Sequence, residues 1–210
     1  MAKTYLTADL HIGHENIFKH QKDRLNWPGV TDCASGDQYL IDLWRKTVTK
    51  HDTVYILGDL TFRGSEDARK LLNLLPGRKF LIRGNHDGSL KAYDYYFVKV
   101  ADILELEWKP TTFPFITEDR VRLVLCHYPM VTWNHKPDGA IMVHGHCHGY
   151  LDKVNEASHD LRFDVGVDGA LARKYGIFIP AEAIYEEAKA KTGGLSFCDY
   201  AKKVYTQEEK

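Results

Sequence analysis

Residues Thr53–Asp59 read TVYILGD. Val54 to Leu57 are apolar without alternation, so this strand needs both faces covered and belongs in a parallel sheet beneath helices. The flanking sequence agrees. Upstream, Tyr39, Leu40, Leu43, Trp44 and Val48 share one helix face; downstream, Ser65 can cap SEDARKLLNLL before Pro76-Gly77 stops it. Comparable apolar runs end abruptly in polar clusters at TYLTAD (4–9), KFLIRGNHD (79–87), RVRLVLCHYP (120–129), AIMVHGHCH (140–148) and LRFDVGVD (161–168). The early order strand–helix–strand–helix–strand predicts a parallel sheet with covering helices. Later strands follow one another more closely, which predicts hairpin pairing. PAEAIYEEAKAKTGG (180–194) opens with Pro and closes with Gly, as helices do.

The chain has 210 residues, 44% hydrophobic and 27% charged, which suits one globular domain over 1–210. A formal net charge of −1 argues against a broad nucleic-acid or anionic-membrane surface, while leaving room for a local basic patch. Cys33, Cys126, Cys147 and Cys198 lack paired spacing, so a reducing compartment fits better than a disulfide framework. The start, MAKTYLTADL, lacks a signal-peptide apolar run, and no window approaches a membrane span. The expectation is a cytoplasmic domain; composition leaves its oligomeric state open. KKVYTQEEK at the end reads as a solvated tail.

Ligands of such sheets gather outside the carboxyl ends of the strands. Five of those ends carry Asp9-x-His11, Asp59, Asn85-His86-Asp87, His127 and His146-x-His148. Imidazole, carboxylate and amide oxygen together suit manganese, iron or zinc better than calcium. Asp9 and His11 can point to one side, as can His146 and His148. Asp59 follows Gly58, whose missing side chain allows close approach, and one carboxylate serves two ions only by bridging them. Two ions roughly 3.5–4 Å apart can bind a hydroxide and clamp both oxygens of an in-line displacement at phosphorus. Each motif alone has a bland reading as a loop cap or turn; five together at five strand ends do not.

Asp9-Leu10-His11, Gly58-Asp59, Gly84-Asn85-His86-Asp87, His127 and Gly145-His146-Cys147-His148 together resemble the calcineurin-like metallophosphoesterases, in that family's order. DLHIGHENIF is further similar to a small bacterial and phage group of these enzymes. The resemblance implies a four-layer α/β/β/α sandwich, with two mixed β-sheets flanked by helices. It implies two divalent ions, Mn²⁺ first, with iron, zinc and nickel as alternatives. Asp9, His11 and His148 would hold one ion; Asn85, His127 and His146 the other; Asp59 would bridge. His86 would donate a proton to the leaving oxygen, with Asp87 orienting its ring. Arg83 stands where some members grip phosphate, though a surface ion pair is nearly as good a reading. Arg63 is a weaker candidate, and His14 can reach substrate or be structural. His144 reads as a strand-end or packing residue, Cys147 and Cys126 as buried thiols.

The implied activity is hydrolysis of a phosphate diester or monoester of a small molecule or nucleotide. A protein serine/threonine phosphatase is the alternative, because GDLTFRG and LIRGNHD resemble that branch. It departs from the branch at Phe62, where an acidic residue is usual, and at Asp87, where Glu is usual. A nuclease is disfavoured by the near-neutral charge, and a non-catalytic scaffold by the complete ligand set. The segments Lys19–Asp37 and Thr132–Asp138 fit loops near the site, where Trp133 and Tyr128 can stack on a base or cover the core.

Overall fold

In the computed structural model, residues 2–205 are described. The chain runs β1 (Thr4–Thr7), α1 (Ile17–His20), α2 (Cys33–Thr47), β2 (Thr53–Ile56), α3 (Ser65–Leu74), β3 (Arg78–Ile82), β4 (Lys99–Ala101) and β5 (Ile103–Trp108). It continues through β6 (Val121–Cys126), β7 (Ile141–His144), α4 (Asp152–Ala157), β8 (Arg162–Asp164), α5 (Ala170–Tyr175), β9 (Ile179–Pro180), α6 (Ala181–Lys191) and α7 (Phe197–Tyr205). One sheet has the order β4-β3-β2-β1-β9, the other β5-β6-β7-β8. In the first, β1 to β4 are parallel, with Tyr5 opposite Val54 and Val54 opposite Lys79, and β9 joins antiparallel. In the second, β5 is antiparallel to β6, and β6, β7 and β8 are parallel. Both sheets are therefore mixed, with flanking helices, as the resemblance implied.

The unbroken apolar strands show why. Leu57, Leu6 and Ile82 face Leu123, Leu125, Ile141 and Val143 across the space between the sheets. Val54, Ile56, Tyr5 and Leu81 face the other way, onto Leu40, Ile41 and Trp44 of α2 and Leu71 and Leu72 of α3. Burial on both faces removes any reason for alternation.

Several local expectations fall differently. Gly64, without a side-chain cap, precedes α3, and Ser65 is its first helical residue. The segment Lys19–Asp37 is not a plain loop. It holds the end of α1, a 3-10 turn at Lys22–Asn26 and the start of α2, where Asp32 and Ser35 form a reciprocal capping box. Only β5 and β6 of the later strands pair as neighbours run antiparallel; α4 carries the chain from β7 back to a parallel β8. Trp133 is buried with Val124, Ala140 and Met142, its indole N–H donating to Ala140 O at 2.9 Å, so it covers the core. Lys202 to Tyr205 of the expected tail form the last turn of α7, and the rest of that tail lies outside the described residues. No helix among the described residues is long and apolar enough to cross a membrane.

Candidate metal centre

The polar strand ends meet at one end of the sandwich. There the exits of β1 and β8 run together, Ala8 N–H donating to Val165 O and Val167 N–H to Ala8 O, each at 3.1 Å. The exits of β1 and β2 are laced alongside by Asp9 N–H to Gly58 O (3.0 Å) and His11 N–H to Asp59 O (2.9 Å). Asp9, His11, Asp59, His146 and His148 all take left-handed backbone conformations, with φ of 60°, 54°, 54°, 69° and 49°. Such φ values in non-glycine residues cluster at functional sites and each costs of order 1 kcal/mol.

Two donor groups result. Asp9, His11 and His148 form one, Asp59, His127 and His146 the other; within each, the donor atoms lie within 4.8 Å of one another. His148 Nδ1–H donates to Asp168 at 2.7 Å, which leaves Nε2 bare and 3.1 Å from His11 Nε2. His127 Nδ1–H donates to Leu57 O at 2.8 Å, leaving its Nε2 3.1 Å from Asn85 Oδ1 and 3.2 Å from His146 Nδ1. Lone pairs facing one another at such distances call for a cation between them. Asp9 Oδ1 and His11 Nδ1 are buried without a hydrogen-bond partner. Asp59 stands between the groups, its Oδ2 3.7 Å from His11 Nε2 and 3.5 Å from His127 Nε2. Its Oδ1 is fixed by the His86 amide at 2.9 Å. Burial, reinforced by the carboxylates of Asp164 and Asp59, pushes Asp9 well above the ordinary carboxylate range. Burial, then neighbouring His148, pulls His11 down to about 2, so its imidazole stays neutral. The donor set fits two divalent ions.

The profile of the calcineurin-like phosphoesterases matches residues 2–177. The chain belongs to this family. It is similar to the Gene 66 protein of Mycobacterium phage L5, at 29% identity over 91% of this chain and 100% of that one. An uncharacterized protein of Methanocaldococcus jannaschii is 33% identical over 73% of this chain and 74% of its own. A crystal structure of a protein of unknown function from Aquifex aeolicus superposes with a TM-score of 0.63 at 22% identity, covering 89% and 100% of the two chains. That likeness is one of fold. Membership makes the chain a metal-dependent phosphoester hydrolase, with a phosphate ester as substrate.

In this calcineurin-like phosphoesterase the other expected residues divide. His86 is exposed beside Asn85, its ring 4.3 Å from that of Phe62 and 5.7 Å from that of His11. Asp87, expected to orient that ring, is buried and accepts instead from the amides of Gly84 (2.8 Å), Asp59 (2.9 Å) and Leu60 (3.0 Å). It ties the β3 exit to the β2 exit. Burial raises its carboxyl despite those amides. Arg83 borders a cleft of about 570 Å³ beside Asn85, yet its guanidinium donates to Asp94 at 2.9 Å. Arg63 is likewise paired, with Asp37 at 2.9 Å. His14 stacks on Phe62 at 4.2 Å. His144 is fully buried and satisfied, Nδ1–H on Gly145 O and Nε2 accepting from Asn155, and offers no lone pair to an ion. Cys126 is a buried free thiol, as expected, whereas Cys147 is only partly buried; burial, then Asp164, pushes Cys147 up to about 11. Tyr128 is half-exposed, its ring 4.8 Å from that of His146.

Sequence reasoning missed Asp168 and Arg24. Asp168 receives His148 Nδ1–H and one edge of the Arg24 guanidinium, its Oδ1 2.8 Å from Nε and its Oδ2 2.6 Å from Nη2. Arg24, only 2% exposed, also donates to Leu10 O (2.9 Å) and Asp9 O (2.7 Å), pinning the loop that carries Asp9 and His11. Asp168 ends the run LRFDVGVD and so obeyed the strand-end rule that found the others.

Proposed function

We propose that this chain hydrolyses phosphate diesters at a centre of two divalent ions held by Asp9, His11 and His148 on one side and Asn85, His127 and His146 on the other, with Asp59 shared. The observation that carries the reading is the position of Asp59 Oδ2, within 3.7 Å of a bare imidazole nitrogen of each group. Mn²⁺ is the ion the family resemblance puts first, and the mixed imidazole, carboxylate and amide donors suit manganese, iron or zinc better than calcium. When bound, the ions activate a water and draw charge from the phosphoryl oxygens.

The chain's own residues do the rest. Asp168 holds His148, and Leu57 O holds His127, each in the tautomer that turns a bare nitrogen inward. Asp87 fixes the loops that carry Asp59 and Asn85. His86, exposed at the rim, donates a proton to the departing oxygen. Diesters are favoured over monoesters by charge: Arg83 and Arg63 are both engaged with carboxylates, so neither guanidinium waits free for a dianion. The packing of Phe62 on His86, in place of an acidic partner, speaks against the protein phosphatase alternative.

A panel in Mn²⁺ tests this: bis(4-nitrophenyl) phosphate, 4-nitrophenyl phosphate, cyclic nucleotides and a phosphopeptide. The aryl diester is expected to turn over faster than the monoester or phosphopeptide. His86→Ala is expected to keep both ions, counted by elemental analysis, and to slow poor leaving groups most. Faster phosphopeptide turnover, or a His86→Ala effect independent of the leaving group, overturns the assignment.

A further inference from the structure

A row of rings leads away from His86. Its imidazole packs on Phe62 at 4.3 Å, Phe62 on His14 at 4.2 Å, and His14 lies parallel to His20 at 6.4 Å with an interplanar angle of 1°. His20 borders a cleft of about 700 Å³, also lined by Lys19, Lys22, Trp27, Tyr150 and Arg173. Its walls include His148, Asp168 and Arg24, so the cleft backs directly onto the metal centre. Lys19 and Lys22 are exposed and form no ion pair among the described residues, and Tyr150 is 78% exposed. Arg24 is paired with Asp168 and Arg173 with Asp152 at 2.8 Å, so Lys19 and Lys22 against Asp23 leave a local excess of one positive charge on a chain whose net charge is −1.

Stacking faces beside unpaired cations are what single-stranded nucleic acid requires, because every base has a π-face and every linkage a negative charge. The ring row begins at the side chain that faces the departing oxygen, so the leaving group, not the retained phosphoryl half, lies along it. We infer that the leaving group is a nucleotide. Its base stacks on His20, the exposed end of the row, its next phosphate sits by Lys19 and Lys22, and Tyr150 offers a further stacking face. The substrate class is then a dinucleotide or the end of a single-stranded oligonucleotide. This inference rests on the diesterase reading and narrows it.

Two measurements on the full chain test it, with Lys19→Ala/Lys22→Ala, His20→Ala and Tyr150→Ala, and with Lys70→Ala as an exposed control that pairs with Asp67 on α3. The first is the anisotropy of a fluorescein-labelled hexathymidylate over a salt series without added metal. The lysine pair is expected to weaken binding roughly tenfold at low salt and to lower the salt slope by about 1.4, the single-strand value for two phosphate contacts. Tyr150→Ala and His20→Ala are each expected to weaken it at least fivefold, on the order of one lost stacking contact. The second is the ratio of kcat/KM for a dithymidine diphosphate to kcat/KM for bis(4-nitrophenyl) phosphate, in Mn²⁺. That ratio is expected to fall by similar factors in the cleft variants and to hold in Lys70→Ala. Unchanged binding and ratio in the cleft variants, or equal losses in the control, overturn the inference. So does wild-type turnover of the aryl diester without the dinucleotide. Turnover of neither overturns the diesterase reading, with the binding series still deciding the cleft.

Discussion

Removing the Asp168 carboxylate should damage stability and metal affinity by separable routes. The carboxylate receives two donors from Arg24, at 2.8 and 2.6 Å, and one from His148 at 2.7 Å. In Asp168→Ala the guanidinium, 2% exposed, keeps only the carbonyls of Leu10 and Asp9. Breaking a buried pair from one side costs about 3–5 kcal/mol, because a charge is left uncompensated. For a chain of this size that is a fall in Tm of roughly 10 °C. His148 meanwhile loses the acceptor that fixes its tautomer, a loss worth about 10–100-fold in metal affinity. Arg24→Leu/Asp168→Leu separates the two effects. With the charge gone as well as its partner, most of the lost stability should return, since apolar replacements of buried pairs are often neutral. The metal affinity should not return. Urea unfolding of metal-free protein reads the first quantity and calorimetric Mn²⁺ titration the second. Wild-type Mn²⁺ affinity in Asp168→Ala, or a double variant as unstable as the single one, would refute the reasoning.

Two further outcomes follow from carboxylates that serve backbone amides. Asp87→Asn sets an NH₂ group against at least one of three amides and should cost about 3 kcal/mol in urea unfolding. The leaving-group dependence of turnover should stay as in wild type; a steeper dependence would restore Asp87 as the partner of His86. Asp52 is buried, which works to raise its pKa, but the amides of Lys3 (2.6 Å) and Thr49 (2.8 Å) and the Thr49 hydroxyl outweigh that and hold it below the ordinary range. A depressed folded pKa stabilises the fold above the unfolded value of about 3.9 and fades as pH falls from there through the folded value. Asp52→Asn should therefore lose stability at pH 7 and converge on wild type in acid, by Tm against pH. Parallel curves would disprove the linkage.

The strands that define the sandwich were legible because they are short, apolar and cut off by polar residues. The three missed ones lack that signature. β5 alternates in ILELEW because one face is exposed at a sheet edge; β4 has three residues and β9 two. The ligands were legible for a related reason: a carboxylate or imidazole directly after a buried strand has few structural uses. Asp87 shows where that logic stops, since its neighbour in sequence, His86, is not its partner in space. Arg24 carried no signal at all. It lies in a 3-10 turn 144 residues from Asp168, and nothing in KDRLN distinguishes it from a solvated arginine.

The conformations of the ligands explain why the glycines accompany them. A residue at φ near +60° turns its chain sharply, which brings the next exit close behind its side chain. A Cβ at Gly84 would stand 2.2 Å from Asp59 Oδ1, and one at Gly58 2.4 Å from His127 Nδ1. Gly145 and Gly166 approach Asp9 Oδ2 in the same way, at 2.8 and 2.7 Å. The compact packing concentrates like charge. Asp9, Asp59, Asp164 and Asp168 converge with Arg24 as a buried counter-charge, a cluster of negative charge that two divalent ions would offset. Burial, reinforced by that like charge, is why Asp9 is held above its ordinary range. Backbone strain and charge repulsion thus act together to make this end of the sandwich a poor resting place for the bare chain and a strong one for metal. The same two terms predict that ligand geometry is set before an ion arrives, because the hydrogen bonds that hold Asp59, His127 and His148 all come from the protein.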